Sequence, residues 1–174
     1  CPHAHDALEE APMSAPTGAW SPLTPTTGPH VIEVRHERGW HGRHGISADG
    51  HRIATWERSL WGAGGSFDLD GCRFRVHVNL IEGSAHLTGA GGARVATASG
   101  IGRRNWTIDA DGSTHHFRRA APWRREQRLH DAGRPLGWIR PTGPWRGDAA
   151  ADLPGMPIAT QVFAVALALT PWEA

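Results

Sequence analysis

Tight turns at regular intervals constrain this chain more than any other feature of its sequence. Three stretches share one pattern: an aliphatic residue, a turn that ends in Gly50, Gly92 or Gly133, and a second aliphatic residue followed by Ala or Gly. The three glycines lie 42 and 41 residues apart. Glycine tolerates the positive φ that tight hairpin turns require. The pattern therefore predicts evenly spaced antiparallel hairpins, produced either by internal duplication or by a plain meander.

Two further turns support a fold made mostly of strands. Asp70-Gly71 and Asp111-Gly112 each lie between runs in which apolar and polar residues alternate. Asp-Gly in that setting is among the strongest local signals for a hairpin. Short strands with regular turns are typical of barrels and sandwiches. We predict a mainly β domain over residues 30–174, an antiparallel β-meander that closes into a barrel.

The C-terminal segment has a different pattern. Residues 158–170 are almost wholly apolar and rich in Ala, which favours a helix. Pro157 suits the first turn of a helix, and Pro171 would end one. We predict a buried helix over 157–170. The alternative is a strand, because Phe163, Val165, Leu167 and Leu169 alternate with alanines.

The N-terminal segment resembles a linker. Residues 1–29 hold six prolines among Ala, Ser and Thr and show no apolar periodicity, so we predict a disordered tail. The chain begins with Cys1, which indicates a fragment boundary or a processed start. The alternative is a bacterial lipoprotein, lipid-anchored through Cys1 after removal of a signal peptide.

Charge is unevenly distributed along the chain. The formal net charge is +1, but residues 103–146 contain ten arginines against four acidic residues. All 18 basic residues are arginine, which excludes Schiff-base, P-loop and kinase lysine chemistry. An arginine-rich face would suit an anionic membrane or a phosphate-bearing partner.

Arginine and tryptophan alternate in the same region. Guanidinium groups bind phosphate, and indole rings prefer the membrane interface or stack on bases. We expect a membrane or a protein partner, with nucleic acid a weaker candidate; the plainer alternative is arginine stems that pack over tryptophan. The candidate membrane- or phosphate-binding residues are Arg103, Arg104, Arg118, Arg119, Trp123, Arg124 and Arg125.

Catalytic and metal motifs are weak throughout the sequence. The twelve histidines include His115-His116 and a cluster at His36, His41 and His44, but none has the spacing of a zinc motif. Cys72 suits a small packed residue better than a nucleophile. We predict no catalytic residue, no metal site and no cofactor.

Three features of this chain occur together: the turn units at Gly50, Gly92 and Gly133, the two Asp-Gly turns, and the apolar segment 158–170. In this combination the chain resembles the tubby C-terminal-like superfamily, which includes LURP-one-related and scramblase-like proteins. The resemblance implies a closed antiparallel barrel around a central hydrophobic helix. Some members of that group bind membranes or phosphoinositides. This chain is shorter than is usual there and leaves room for fewer than twelve full strands.

These observations predict a non-enzymatic binding or scaffold domain, cytoplasmic or peripheral to a membrane. The alternative is an open barrel that binds a small apolar ligand, with 162–170 as a wall strand and tryptophans lining the cavity.

Overall fold

The computed structural model describes residues 31–37, 42–59, 64–143 and 147–170. The predicted tail 1–29, with Cys1, lies outside the described residues, as does His41. Within these ranges, twelve strands precede one helix, α1 (Ile158–Leu169), and a 3-10 turn spans Ala90–Gly92. The strands are β1 (Val31–His36), β2 (Arg43–Ala48), β3 (His51–Arg58), β4 (Gly64–Leu69), β5 (Cys72–Asn79), β6 (Ser84–Thr88), β7 (Arg94–Ser99), β8 (Asn105–Ala110), β9 (Ser113–Arg119), β10 (Gln127–Asp131), β11 (Arg134–Pro141) and β12 (Ala149–Asp152).

The strands form one closed antiparallel barrel. Each strand pairs with its neighbours in sequence, and β1 closes the barrel by pairing with β12, with Val34 opposite Ala149. The predicted mainly β barrel is confirmed. The expectation of fewer than twelve strands is wrong, because the strands are only four to eight residues long and four of their connections are two-residue turns.

The helix α1 fills the barrel. The predicted helix is confirmed, and the alternative of a strand is wrong. Its residues from Thr160 to Leu169 are all buried, and those from Val162 onward share one hydrophobic cluster with inward side chains from all twelve strands. Many of these inward residues are alanines, including Ala85, Ala98 and Ala151. Small side chains leave room for a helix about 10 Å across.

The sequence pattern at Gly50, Gly92 and Gly133 corresponds to a structural repeat of four strands. These glycines lie between β2 and β3, between β6 and β7, and between β10 and β11. The strand register shifts within each of these three pairs, near Ile46, Leu87 and Leu129 respectively. The barrel therefore repeats one unit three times, with an irregularity at the same place in each.

The two ends of the barrel differ in their connections. One end, which we call the turn end, carries the short turns at 49–50, 70–71, 111–112 and 132–133, together with the 3-10 turn. The other end, which we call the loop end, carries the longer connections. Because β12 finishes at the turn end, α1 enters the barrel there and runs towards the loop end. The C-terminal end of α1 therefore lies near the loop end.

Candidate arginine-rich binding surface

The predicted binding residues lie at or next to the loop end. Arg103 and Arg104 belong to the loop 100–104 between β7 and β8, and Trp123, Arg124 and Arg125 to the loop 120–126 between β9 and β10. All five side chains are exposed. We call these five residues the arginine rim. They come from two loops about twenty residues apart in sequence, which the antiparallel order of β8 and β9 places side by side.

The remaining two predicted residues, Arg118 and Arg119, end β9 just below the rim. Arg118 is exposed on the outer wall. Arg119 differs from the other candidates, because it is half-buried and its Nε is buried without a hydrogen-bond partner in the described part of the chain. Because side chains two residues apart on a strand lie on the same face, Arg119 points inward as the buried Phe117 does. Arg119 therefore belongs to the barrel mouth and not to the exposed surface.

Backbone hydrogen bonds hold the neighbouring loops together. The Arg119 N–H donates to the Arg104 carbonyl over 2.8 Å, which joins the loop 100–104 to the end of β9. The Ala120 N–H donates to the Glu126 carbonyl over 2.9 Å and closes the base of the loop 120–126. These bonds attach both loops of the arginine rim to the barrel.

The rim has an excess of positive charge. Among the residues that the structure describes, Arg103, Arg104, Arg124 and Arg125 form no ion pair. The nearby Glu126 carboxylate instead pairs with Arg128, over 3.0 Å. Unpaired guanidinium groups in water retain their full capacity to attract an anion.

Acidic residues on the opposite wall are engaged by arginines. Glu57 pairs with Arg43 over 3.3 Å and with Arg73 over 3.5 Å. Glu37 accepts a hydrogen bond from Arg52, and this bond lowers the pKa of the Glu37 carboxyl group. The opposite wall is therefore closer to electrical balance than the arginine rim.

A strip of cationic and aromatic side chains continues from the rim down the barrel wall. Arg118 on β9 lies directly opposite Arg128 on β10, which in turn lies opposite Trp138 on β11. Arg140 stacks on Trp138, with the guanidinium carbon 4.0 Å from the ring centroid. Like charges that face each other across strands destabilise a sheet. Because Arg128 already pairs with Glu126, Arg118 is the member of this pair that a bound anion could engage.

A groove of about 590 Å³, lined by residues of β7 to β10, lies beside Arg118. Its polar side chains can donate hydrogen bonds, and no carboxylate lines it. His116 and His130 face each other from neighbouring strands inside it. The sequence gives no hint of this groove, because its members come from four strands. Its polar members include Asn105, Thr107, His116, Arg118 and His130.

The β5–β6 turn adds apolar side chains that the sequence reasoning missed. Leu80 is 61% exposed and Ile81 is 99% exposed, in a protein whose other large aliphatic residues are mostly buried. Within the same end of the barrel, Trp123 is 83% exposed. In the sequence, Leu80 and Ile81 look like a continuation of the preceding strand. Only the structure shows that they project from a turn.

The histidines and Cys72 are the residues that the sequence offered for metal binding and nucleophilic chemistry. The described ranges contain no group of three or more metal-ligating side chains. Histidines do form pairs: His36 and His44 have ring centroids 5.2 Å apart, and His77 stacks on His86 at 4.8 Å. Cys72, at the start of β5, is disulfide-bonded and carries no free thiol.

In the parts of the chain that the structure covers, no helix has the length and apolar character needed to cross a bilayer. Comparison of the chain with known proteins yields no matching family model, no matching curated protein and no matching solved structure.

Proposed function

We propose that this chain is a non-enzymatic binding domain whose arginine rim binds anionic membrane surfaces. The observation that carries the proposal is the rim itself: four exposed arginines that have no acidic partner among the described residues, with Trp123 beside them, at one end of the barrel. The resemblance to the tubby C-terminal-like superfamily forms part of the same proposal.

The filled interior directs function to the outer surface. The side chains of Phe163, Val165 and Leu167 occupy the barrel axis and are 1% exposed or less. The alternative of an open barrel that holds an apolar ligand depended on a wall strand at 162–170, and that segment is helical. The outer surface therefore supports the proposed function better than the interior does.

Simple electrostatics give the rim enough binding energy to matter. A basic residue close to an anionic bilayer contributes about 1 kcal/mol, and the contributions fall off within a Debye length. The four arginines belong to adjoining loops at the same end of the barrel, so one surface that approaches this end would meet all of them. The three Asp-Gly turns place Asp49, Asp70 and Asp111 at the opposite end, where an anionic surface would repel their carboxylates.

Charge reversal tests the proposal. The double variant Arg124→Glu/Arg125→Glu should lose most of its binding to vesicles of phosphatidylcholine mixed with phosphatidylserine, measured by co-sedimentation at low salt. The matched control is Arg94→Glu/Arg134→Glu, which reverses two exposed arginines at the turn end. The control should bind as the wild type does.

Two results would contradict the proposal. Equal binding by the two double variants would mean that net charge alone drives adsorption and that the rim has no special role. Tighter binding of a single-stranded oligonucleotide than of the vesicles would indicate a nucleic-acid-binding protein.

A further inference from the structure

We infer that the β5–β6 turn is an apolar tip that inserts into a lipid bilayer beside the arginine rim, so that the barrel docks on its loop end. This inference rests on the proposed function and names its partner as a bilayer with an accessible hydrocarbon region. It assigns binding roles to Leu80 and Ile81, which lie outside the arginine-rich region of the sequence.

The first observation is where exposed apolar side chains occur. Four large hydrophobic residues are exposed among the described residues, and three of them lie at the loop end: Leu80, Ile81 and Trp123. The fourth, Leu136, is 50% exposed on β11 towards the turn end. Single exposed apolar residues are common on protein surfaces, but an aliphatic pair at the tip of a turn is a concentrated apolar surface.

The turn keeps its shape without help from these two side chains. The Asn79 side-chain oxygen accepts hydrogen bonds from the backbone N–H groups of Ile81 and Glu82, at 3.2 and 3.3 Å. Gly83 has φ +66°, and a Cβ there would approach the Ile101 carbonyl oxygen to 3.2 Å. Because the backbone and Asn79 define the turn, the aliphatic side chains are free to act outside the fold.

The tip is attached to the loop that carries half of the rim. The Ile101 N–H donates to the Gly83 carbonyl over 2.8 Å, which joins the turn to the loop 100–104. Arg103 and Arg104 follow in that loop, and the Arg104 carbonyl in turn joins the end of β9. The connections 80–83 and 100–104 are therefore bonded directly to each other, and the loop 120–126 begins right after the strand end to which 100–104 is bonded.

The combined chemistry fits a bilayer interface better than a folded protein partner. Aliphatic side chains enter the boundary between headgroups and acyl chains, tryptophan prefers that boundary, and arginine binds the anionic headgroups above it. A protein partner would need a matching pocket to enclose Leu80 and Ile81. A fluid bilayer accepts a protruding tip without one. Exposure of 99% at Ile81 shows that the tip protrudes.

A serine double variant tests the insertion. Leu80→Ser/Ile81→Ser should bind phosphatidylserine-containing vesicles about tenfold or more weakly than the wild type, because burial of two aliphatic side chains is lost. The loss should persist at high salt, where the electrostatic contribution is screened. Leu136→Ser is the control for an exposed leucine elsewhere and should bind normally. Unchanged circular dichroism would confirm that each variant is folded.

A second measurement reports insertion directly. Vesicles that contain lipids brominated on their acyl chains should quench part of the tryptophan fluorescence of the wild type. This quenching should be largely lost in Trp123→Phe and reduced in the serine double variant. Both variants keep the four arginines of the rim, so they isolate the apolar contribution.

The outcomes separate the inference from the proposed function. Wild-type binding with no effect of Leu80→Ser/Ile81→Ser and no acyl-chain quenching would overturn the insertion but leave electrostatic binding by the rim intact. Absence of wild-type binding to any anionic vesicle would overturn both.

Discussion

Individual histidines on the barrel are held in positions that disfavour their charged form. His77 and His86 lie opposite each other on β5 and β6, with stacked rings. Partial burial lowers the pKa of His86, and the charges of His77 and Arg94 lower it further. Burial is also the main cause that lowers the pKa of His115, with a smaller contribution from His116. Both histidines therefore resist protonation in the folded state.

The sign of these shifts predicts how stability depends on pH. An unfolded histidine titrates near pH 6.5, and the folded pKa values of His86 and His115 lie below that. Their contribution to stability is present above about pH 6.5 and is lost as the pH falls through the folded values. Urea unfolding should show a falling free energy of unfolding from about pH 7 to pH 5, and His86→Gln should weaken this dependence. An identical pH dependence in His86→Gln would contradict the assignment.

The residue types in the sequence predicted the members of the arginine rim. They did not predict which nearby arginine is partly buried or which apolar residues lie at the same end of the barrel. Arg103, Arg104, Arg124 and Arg125 could be selected because charge and sequence clustering are visible without a fold. Arg119 could not be separated from them, because its half-buried position depends on strand alternation at the barrel mouth. Leu80 and Ile81 were missed for the opposite reason, since apolar residues are normally assigned to the core.

At the scale of the elements, two-residue turns join many of the strands. All four of these turns have two consecutive residues with positive φ, the backbone of a type I′ turn, which matches the twist of a hairpin. Three of them are Asp-Gly, and the fourth is Ala132-Gly133, with Ala132 at φ 45°. Alanine is poorly suited to that conformation, whereas aspartate and asparagine adopt it more readily.

This exception gives a prediction about stability. Ala132→Asn should raise the free energy of unfolding by up to about 1 kcal/mol, because asparagine adopts the left-handed conformation at lower cost. The contrasting variant Gly112→Ala should lower it by about 1 kcal/mol; no atom crowds that position, so the effect comes from the backbone alone. Equilibrium urea unfolding measures both. Destabilisation by Ala132→Asn would contradict the turn assignment.

The turns and the helix could be predicted because their signals are local. Asp-Gly between alternating residues identifies a hairpin, and an apolar segment between Pro157 and Pro171 identifies a helix. The strand count was underestimated because it was inferred from the length of the chain, whereas strands as short as the four-residue β12 and four two-residue turns fit twelve strands into that length. Barrel closure between β1 and β12 joins the two ends of the domain, and no local pattern reports such a pairing.

At the scale of the whole molecule, the barrel has a filled interior and two ends that differ in surface chemistry. The helix occupies the interior, the Asp-Gly turns lie at one end, and the arginine rim and the apolar tip lie at the other. Surface grouping of this kind cannot be obtained from the sequence, because it depends on strands that alternate in direction around a closed barrel. The residues that meet at the loop end come from three connections spread over more than forty positions.

Hydrogen exchange measured by mass spectrometry, with and without phosphatidylserine-containing vesicles, tests the central claim most directly. The account predicts slower exchange in the connections 80–83, 100–104 and 120–126 when vesicles are present. Exchange at the turns 49–50, 70–71 and 132–133 should stay unchanged, since the turn end faces away from the bilayer. Protection of those turns, or protection spread evenly around the barrel, would contradict docking through the loop end.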